Sequence, residues 1–162
     1  MSGGFFAMNI IAGCAHKISP ADQKDTVFTA ISGIWAGRIS LKVQSDPPQS
    51  FFAGFELKGR AEEGELALIS PLGSILGVLR WSPSAAVLES AQGTKRSASV
   101  DELLEQVTGA SVPAAALFDW LAGKQTELSG WAADLSRRAD GRIVAIRAAP
   151  APQVELRIVL DR

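Results

Sequence analysis

The fold is decided by residues 50–81, which read SFFAGFELKGRAEEGELALISPLGSILGVLRW. Side chains of like character recur at every second position along three segments of this stretch, which is typical of β-strands. Two turns separate the segments, at Glu62-Glu63-Gly64 and at Ser70-Pro71-Leu72-Gly73-Ser74. Short strands joined by turns of a few residues predict an antiparallel meander.

Further strands are predicted on both sides of this meander. The segments with the same alternation are residues 33–43, 85–90, 130–137, 143–147 and 154–160. Between them the period changes to that of a helix. Ser99-Val100-Asp101-Glu102 is a capping box, and Gly109 is a natural helix stop. A second helix is predicted from near Pro113 to Gly123.

Both predicted helices carry a single apolar stripe, so each must lie on another apolar surface. The order of strands, two helices and strands predicts one domain of the α+β class, mainly β, built on a curled antiparallel sheet. The pattern is compatible with two kinds of interior. The sheet could curl around an apolar cavity, or the same side chains could fill a sandwich core. Leu72, at the tip of the second turn, has two alternative roles. Its side chain could be exposed and serve a function, or it could fold back onto the core.

Composition excludes several classes of function. The 16 Lys and Arg residues against 17 Asp and Glu residues leave a net charge of −1, which argues against nucleic-acid binding. One Cys and one His exclude a disulfide framework, a Cys-rich zinc site and most catalytic pairs. The sequence contains neither a P-loop nor a Gly-x-Ser-x-Gly motif. We therefore expect no catalytic residues, no metal site and no cofactor, and the chain is not expected to be an enzyme.

The first 29 residues suggest a processed and lipidated N-terminus. Ile11-Ala12-Gly13-Cys14 resembles a bacterial lipobox, in which the Cys thiol is acylated and the chain is cut before it. We interpret residues 1–13 as a signal-peptide remnant, 14–29 as a lipidated tether and 30–162 as the folded domain. No Lys or Arg precedes Cys14, which a start site placed too far downstream would explain. The alternative is that Cys14 is an ordinary apolar residue.

Five segments together carry a family resemblance that covers roughly residues 30 to 161. They are Trp35-Ala36-Gly37-Arg38, the Phe51–Gly59 strand, the Ser70–Ser74 turn, Thr108-Gly109 with Val112-Pro113, and Phe118-Asp119-Trp120-Leu121-Ala122-Gly123. In their order and spacing they resemble LolB, the outer-membrane lipoprotein receptor family of Gram-negative bacteria.

The resemblance implies an incomplete, unclosed antiparallel β-barrel with a helical lid over an apolar cavity. Its members accept acylated lipoproteins from the periplasmic carrier LolA and place them in the outer membrane. It also implies a lipid anchor at Cys14, on the periplasmic face of that membrane, and a membrane-insertion loop at Pro71, Leu72 and Gly73. The expected partners are a LolA-like carrier, acylated lipoproteins and outer-membrane lipids, and the protein is expected to be a monomer.

Strand parity and the helix stripes indicate which residues would line the acyl-chain cavity, although either face of the sheet is possible. The favoured set is Phe51, Phe55, Leu66, Leu68, Ile75, Leu79, Leu104, Leu117 and Trp120. One alternative function is that of a soluble LolA-like carrier, which shares the fold. Another is a lipid-anchored scaffold protein with a filled core.

Overall fold

A computed structural model describes residues 33–162, which form one antiparallel sheet of nine strands and two helices. The strands are β1 (Ile34–Val43), β2 (Gln49–Arg60), β3 (Glu63–Ile69), β4 (Ile75–Ser82), β5 (Ala85–Ser90), β6 (Gly93–Ser97), β7 (Trp131–Asp134), β8 (Arg142–Arg147) and β9 (Val154–Leu160). The helices are α1 (Val100–Thr108) and α2 (Ala114–Leu121).

The strand order is β6-β5-β4-β3-β2-β1-β9-β8-β7, so the chain's two halves meet where β1 pairs with β9. Strands β6 and β7 end the sheet on opposite sides, and the sheet is therefore not closed. The structure confirms the predicted fold class, an unclosed antiparallel barrel with a helical lid. The interpretations of residues 1–13 and 14–29, including Cys14, fall on residues outside the described range.

The register of the strands explains why one face of the sheet is apolar. Residues paired across antiparallel strands point to the same face. Leu57 pairs with Leu66, Leu66 with Leu79, and Leu79 with Leu88. On the other side of β2, Phe51 pairs with Leu41. These rows form the inner face, which packs against the helices, and the alternate residues form the outer face.

The two helices are joined by a specific polar contact as well as by apolar packing. The Ser99 hydroxyl accepts a hydrogen bond from the Glu102 amide at 3.2 Å, as the capping box predicts. Asp101 in the first turn of α1 accepts a hydrogen bond from the amide of Ala114 at 2.8 Å. A carboxylate at this position stabilises the N-terminus of α2, which has no capping side chain of its own because Pro113 precedes it.

Three element predictions differ from the structure. Strand β6 was not predicted, because Gly-Thr-Lys-Arg-Ser has no apolar alternation. The strand predicted for 130–137 ends at Asp134, whose side chain accepts a hydrogen bond from the Ser136 amide at 2.9 Å and turns the chain. A short 3-10 turn, Arg138–Asp140, follows it. Pro113 precedes α2 rather than opening it.

Within residues 33–162, no helix has both the length and the apolar character to cross a membrane.

Candidate functional site

An apolar cavity lies between the helices and the inner face of the sheet. Its volume is about 100 Å³, and among the described residues that line it only Thr108 is polar. Six of the predicted residues line this cavity: Phe51, Leu66, Leu68, Leu79, Leu104 and Leu117. Strand parity and helix periodicity therefore each predicted residues that line this one cavity.

Two of the other predicted residues, Phe55 and Trp120, are buried but lie outside the cavity wall. Phe55 is on the same face as Phe51 and pairs with Leu68. Trp120 is completely buried, and its ring lies 5.7 Å from the ring of Trp131. Both side chains fill the core beside the cavity. Strand parity for Phe55 and the helix stripe for Trp120 thus identified the buried side, but they did not distinguish residues of the cavity wall from residues that fill the core.

Ile75 is the third predicted residue outside the cavity, and here the parity prediction is corrected. Its side chain is 68% exposed. An irregularity in the β3–β4 register pairs Leu68 with Gly77 but Ile69 with Ile75. One extra residue, Leu76, thus lies in β4, as in a β-bulge. Ile75 therefore shares a face with Ile69 and points outward. Regular alternation along β4 would instead have placed Ile75 on the inner face with Gly77.

Several cavity residues were not among those predicted. Leu88 in β5 and Val107 in α1 line the cavity, and both belong to segments whose apolar pattern could have identified them. Phe118 also lines it and packs edge-on against Trp35 at 5.6 Å and Trp81 at 6.1 Å. The aromatic contacts join α2 to β1 and β4, and no local sequence pattern indicates them.

The exposed part of the cavity wall lies at the end of the sheet where β2 begins. Val107 lines the cavity and is 40% exposed. It lies near the end of α1, where a Cβ on Gly109 would be 3.4 Å from the side chain of Gln49. The β3–β4 turn points toward this same end, because β3 runs antiparallel to β2 and its last residue, Ile69, pairs with Gly54 in the first half of β2. The cavity and the turn therefore lie close to one edge of the domain.

The β3–β4 turn projects Leu72 into solvent, where its side chain is 95% exposed. The amide of Ser70 donates to Ser74 O at 2.8 Å, and the amide of Gly73 donates to Ser70 O at 2.9 Å. Gly73 adopts a φ of +86°, which favours glycine. The turn is thus held by its own hydrogen bonds, and Leu72 does not fold back onto the core.

The groups with shifted pKa lie away from the cavity. A hydrogen bond to Glu65 raises the pKa of Arg80, and hydrogen bonds from Ser136 lower that of Asp134. The hydrogen bond between Arg157 and Glu155 raises the pKa of the arginine and lowers that of the carboxyl. None of these four residues lines the cavity. Among the described residues, no group of three His, Cys, Asp or Glu side chains could hold a metal ion.

An unclosed antiparallel sheet with a helical lid over an apolar cavity defines the class of proteins that can hold an apolar ligand. The family model described as "Outer membrane lipoprotein LolB" matches residues 34–157. The chain belongs to the LolB family.

Curated relatives with the same name agree with this assignment. The chain is similar to Outer-membrane lipoprotein LolB of Cupriavidus metallidurans, with 32% identity over 139 residues that cover 85% of this chain and 67% of the relative. The corresponding protein of Ralstonia nicotianae is 33% identical, with 84% and 66% covered. That of Bordetella pertussis is 34% identical, with 98% and 90% covered. The chain thus spans about two thirds of the first two relatives and most of the third.

Proposed function

We propose that this protein is an outer-membrane lipoprotein receptor, which accepts acylated lipoproteins from a LolA-like periplasmic carrier and inserts them into the outer membrane. The observation that carries the proposal is the apolar cavity beside the exposed Leu72 turn, within a fold of the LolB family. The cavity would receive acyl chains, and the turn would contact the bilayer that takes them. No catalytic step is needed for this transfer.

The energetics explain why such a container is needed. Each methylene contributes about 0.8 kcal/mol when removed from water, so the acyl chains of a lipoprotein cost tens of kcal/mol to expose. The cavity of about 100 Å³ is smaller than an engineered apolar protein cavity of about 150 Å³ that holds one benzene molecule. A full acyl chain therefore requires the helices to move away from the sheet.

Both helices that cover the cavity are held by specific contacts. Apolar residues of α1, including Leu104 and Val107, form one wall of the cavity. Helix α2 is held by the Trp35, Trp81 and Trp131 rings that contact Phe118 and Trp120. Helix α1 is held as well, because its Leu103 is fully buried and its Asp101 accepts a hydrogen bond from the amide of Ala114.

The role of Leu72 is tested by Leu72→Asp. A leucine that reaches the acyl region contributes about 2 kcal/mol, and an aspartate there costs about 3 kcal/mol. We expect uptake of an acylated lipopeptide to be unchanged and its delivery to vesicles to fall at least about a hundredfold. Both are measured with one fluorescent lipopeptide, first with the protein alone and then after vesicles are added.

The matched control is Ser84→Asp, which adds the same charge to the β4–β5 turn at the opposite end of β4. It should leave both uptake and delivery unchanged. Equal delivery by the wild type and Leu72→Asp would contradict the role proposed for the turn.

The lipid anchor is tested by the intact mass of the protein purified from native membranes. We expect a chain that begins at Cys14 and carries acyl groups, because Cys14 is the last residue of a lipobox-like sequence and stable attachment takes more than one chain. The acyl mass should be absent from Cys14→Ala. A soluble chain without acyl groups would instead favour a LolA-like carrier.

A further inference from the structure

The exposed apolar side chains are concentrated around the Leu72 turn. Six large apolar residues within 33–162 are well exposed, and four of them lie here: Phe52, Leu72, Ile75 and Leu76. We refer to these four as the apolar rim. Ile75 and Leu76 follow the turn directly, and Phe52 is near the start of β2, at the same end of the sheet. Leu72 is thus the tip of a larger apolar surface.

The strand register places basic side chains next to this rim. On the outer face, Ile69 pairs with Gly54, which pairs with Arg38. Arg38 then pairs with Val159, and Val159 with Arg142. One step toward the Leu72 end, Phe52 pairs with Ser40, and Ser40 pairs with Arg157. The face therefore changes from apolar to basic across β2 and β1.

Three arginines on adjacent strands make up this basic part, which we call the arginine band: Arg38, Arg142 and Arg157. An open groove of about 470 Å³ extends along it and includes Phe52. Arg157 is paired with Glu155 at 2.7 Å. Arg38 and Arg142 make no ion pair within the described part of the chain. The whole chain carries a net charge of −1, so three arginines on adjacent strands are a local concentration of positive charge.

We propose that the apolar rim and the arginine band form one membrane-docking surface, which binds a bilayer that contains anionic phospholipid. This inference rests on the function proposed above and extends it from a single leucine to a whole face of the sheet. Isoleucine, leucine and phenylalanine side chains would enter the boundary between headgroups and acyl chains, where the apolar faces of membrane-surface proteins are buried. The arginines would contact the phosphate groups, which they bind with several hydrogen bonds each.

A bilayer suits this surface better than a protein partner because of its layout. The most exposed apolar residue projects from a turn at the edge of the domain, and the charges lie behind it on the sheet. Such an order matches the depth profile of a lipid leaflet, in which the phosphates lie above the acyl chains. Val107 lies on the inner side of the sheet, so docking through the outer face leaves the exposed part of the cavity wall uncovered.

The test is cosedimentation of the full chain with vesicles, in a Cys14→Ser background so that no acyl chain contributes. Vesicles of phosphatidylcholine alone are compared with vesicles that contain an equal part of phosphatidylglycerol. Arg38→Gln with Arg142→Gln should lower the partition coefficient on the anionic vesicles by roughly tenfold or more, since each basic residue near such a surface contributes about fivefold. It should have little effect on the neutral vesicles.

Phe52→Ser should lower partition on both kinds of vesicle by about tenfold, because its contribution is apolar. Matched controls come from the opposite end of the sheet. Arg60→Gln with Arg96→Gln removes the same charge elsewhere, and Ile34→Ser removes an apolar residue that is 69% exposed at the start of β1. Neither control should weaken partition as much.

Equal losses from the control pair and from the arginine-band pair would overturn the proposal, since only net charge would then matter. A loss of lipopeptide uptake from a carrier, with vesicle partition unchanged, would also overturn it and assign the band to a protein partner. Lipopeptide uptake without vesicles tests the function separately. If the wild type takes up no lipopeptide, the proposed receptor function fails, whereas normal uptake with unaltered vesicle binding in the variants rejects only the docking surface.

Discussion

Leu66→Asp is expected to reduce the affinity for an acylated lipopeptide about a hundredfold or more. Leu66 lies in the middle of the cavity wall, between Leu57 and Leu79 on the neighbouring strands. An acyl chain in the cavity would exclude water from the new carboxylate. A buried charge without a partner costs several kcal/mol, and each 1.4 kcal/mol is a factor of about ten. Titration with a fluorescent lipopeptide measures the affinity directly.

The adjacent residue supplies the control for this substitution. Ala67 is on the outer face of the same strand, where it pairs with Glu56 and Val78. Ala67→Asp adds the same charge to β3 but not to the cavity, so it should leave lipopeptide affinity within about threefold of the wild type. Thermal unfolding of both variants shows whether each is folded at the temperature of the titration. Equal affinity of a folded Leu66→Asp variant would show that acyl chains bind elsewhere.

The residues of the cavity could be predicted from the sequence where burial depends on strand parity alone. Leu66, Leu68 and Leu79 are examples, because each lies in a regular strand whose inner face packs against helices. Helix periodicity placed Leu104 on the same cavity for the same reason. A period of two or 3.6 residues is a local property, so no information about distant contacts was needed.

Other features depend on contacts that a local pattern does not contain. The direction of Ile75 is set by one extra residue in β4 relative to β3, and only the pairing of the two strands reveals it. Strand β6 is a polar edge strand and pairs only with β5, so no alternating burial marks it. The arginine band combines residues from β1, β8 and β9, which are more than 100 positions apart in sequence between Arg38 and Arg142. These arginines are neighbours only because β1 pairs with β9 and β8 also pairs with β9.

Trp120→Ala is expected to have the largest effect on stability, about 3–5 kcal/mol, which is typical of a buried tryptophan. Trp120 is completely buried in α2 and packs on Trp131, so its removal would leave a void where the helix meets β7. Since domains of this size are stable by about 5–15 kcal/mol, much of the stability would be lost. The melting temperature should fall by roughly 10 °C or more, and the free energy of unfolding is measured with urea.

Comparison of Trp120→Phe with Trp120→Ala separates the contribution of the ring's volume to stability from that of the indole N–H. The Trp120 indole N–H is buried, and it has no hydrogen-bond acceptor among the described residues. Phenylalanine removes that donor and keeps most of the apolar volume, so we expect a loss of less than about 2 kcal/mol. A loss as large as that of Trp120→Ala would contradict this account of the core. Because Trp120 lies outside the cavity wall, lipopeptide affinity of the folded Trp120→Phe protein should be unchanged. A marked decrease would show that Trp120 contributes to the cavity, as the helix stripe predicts.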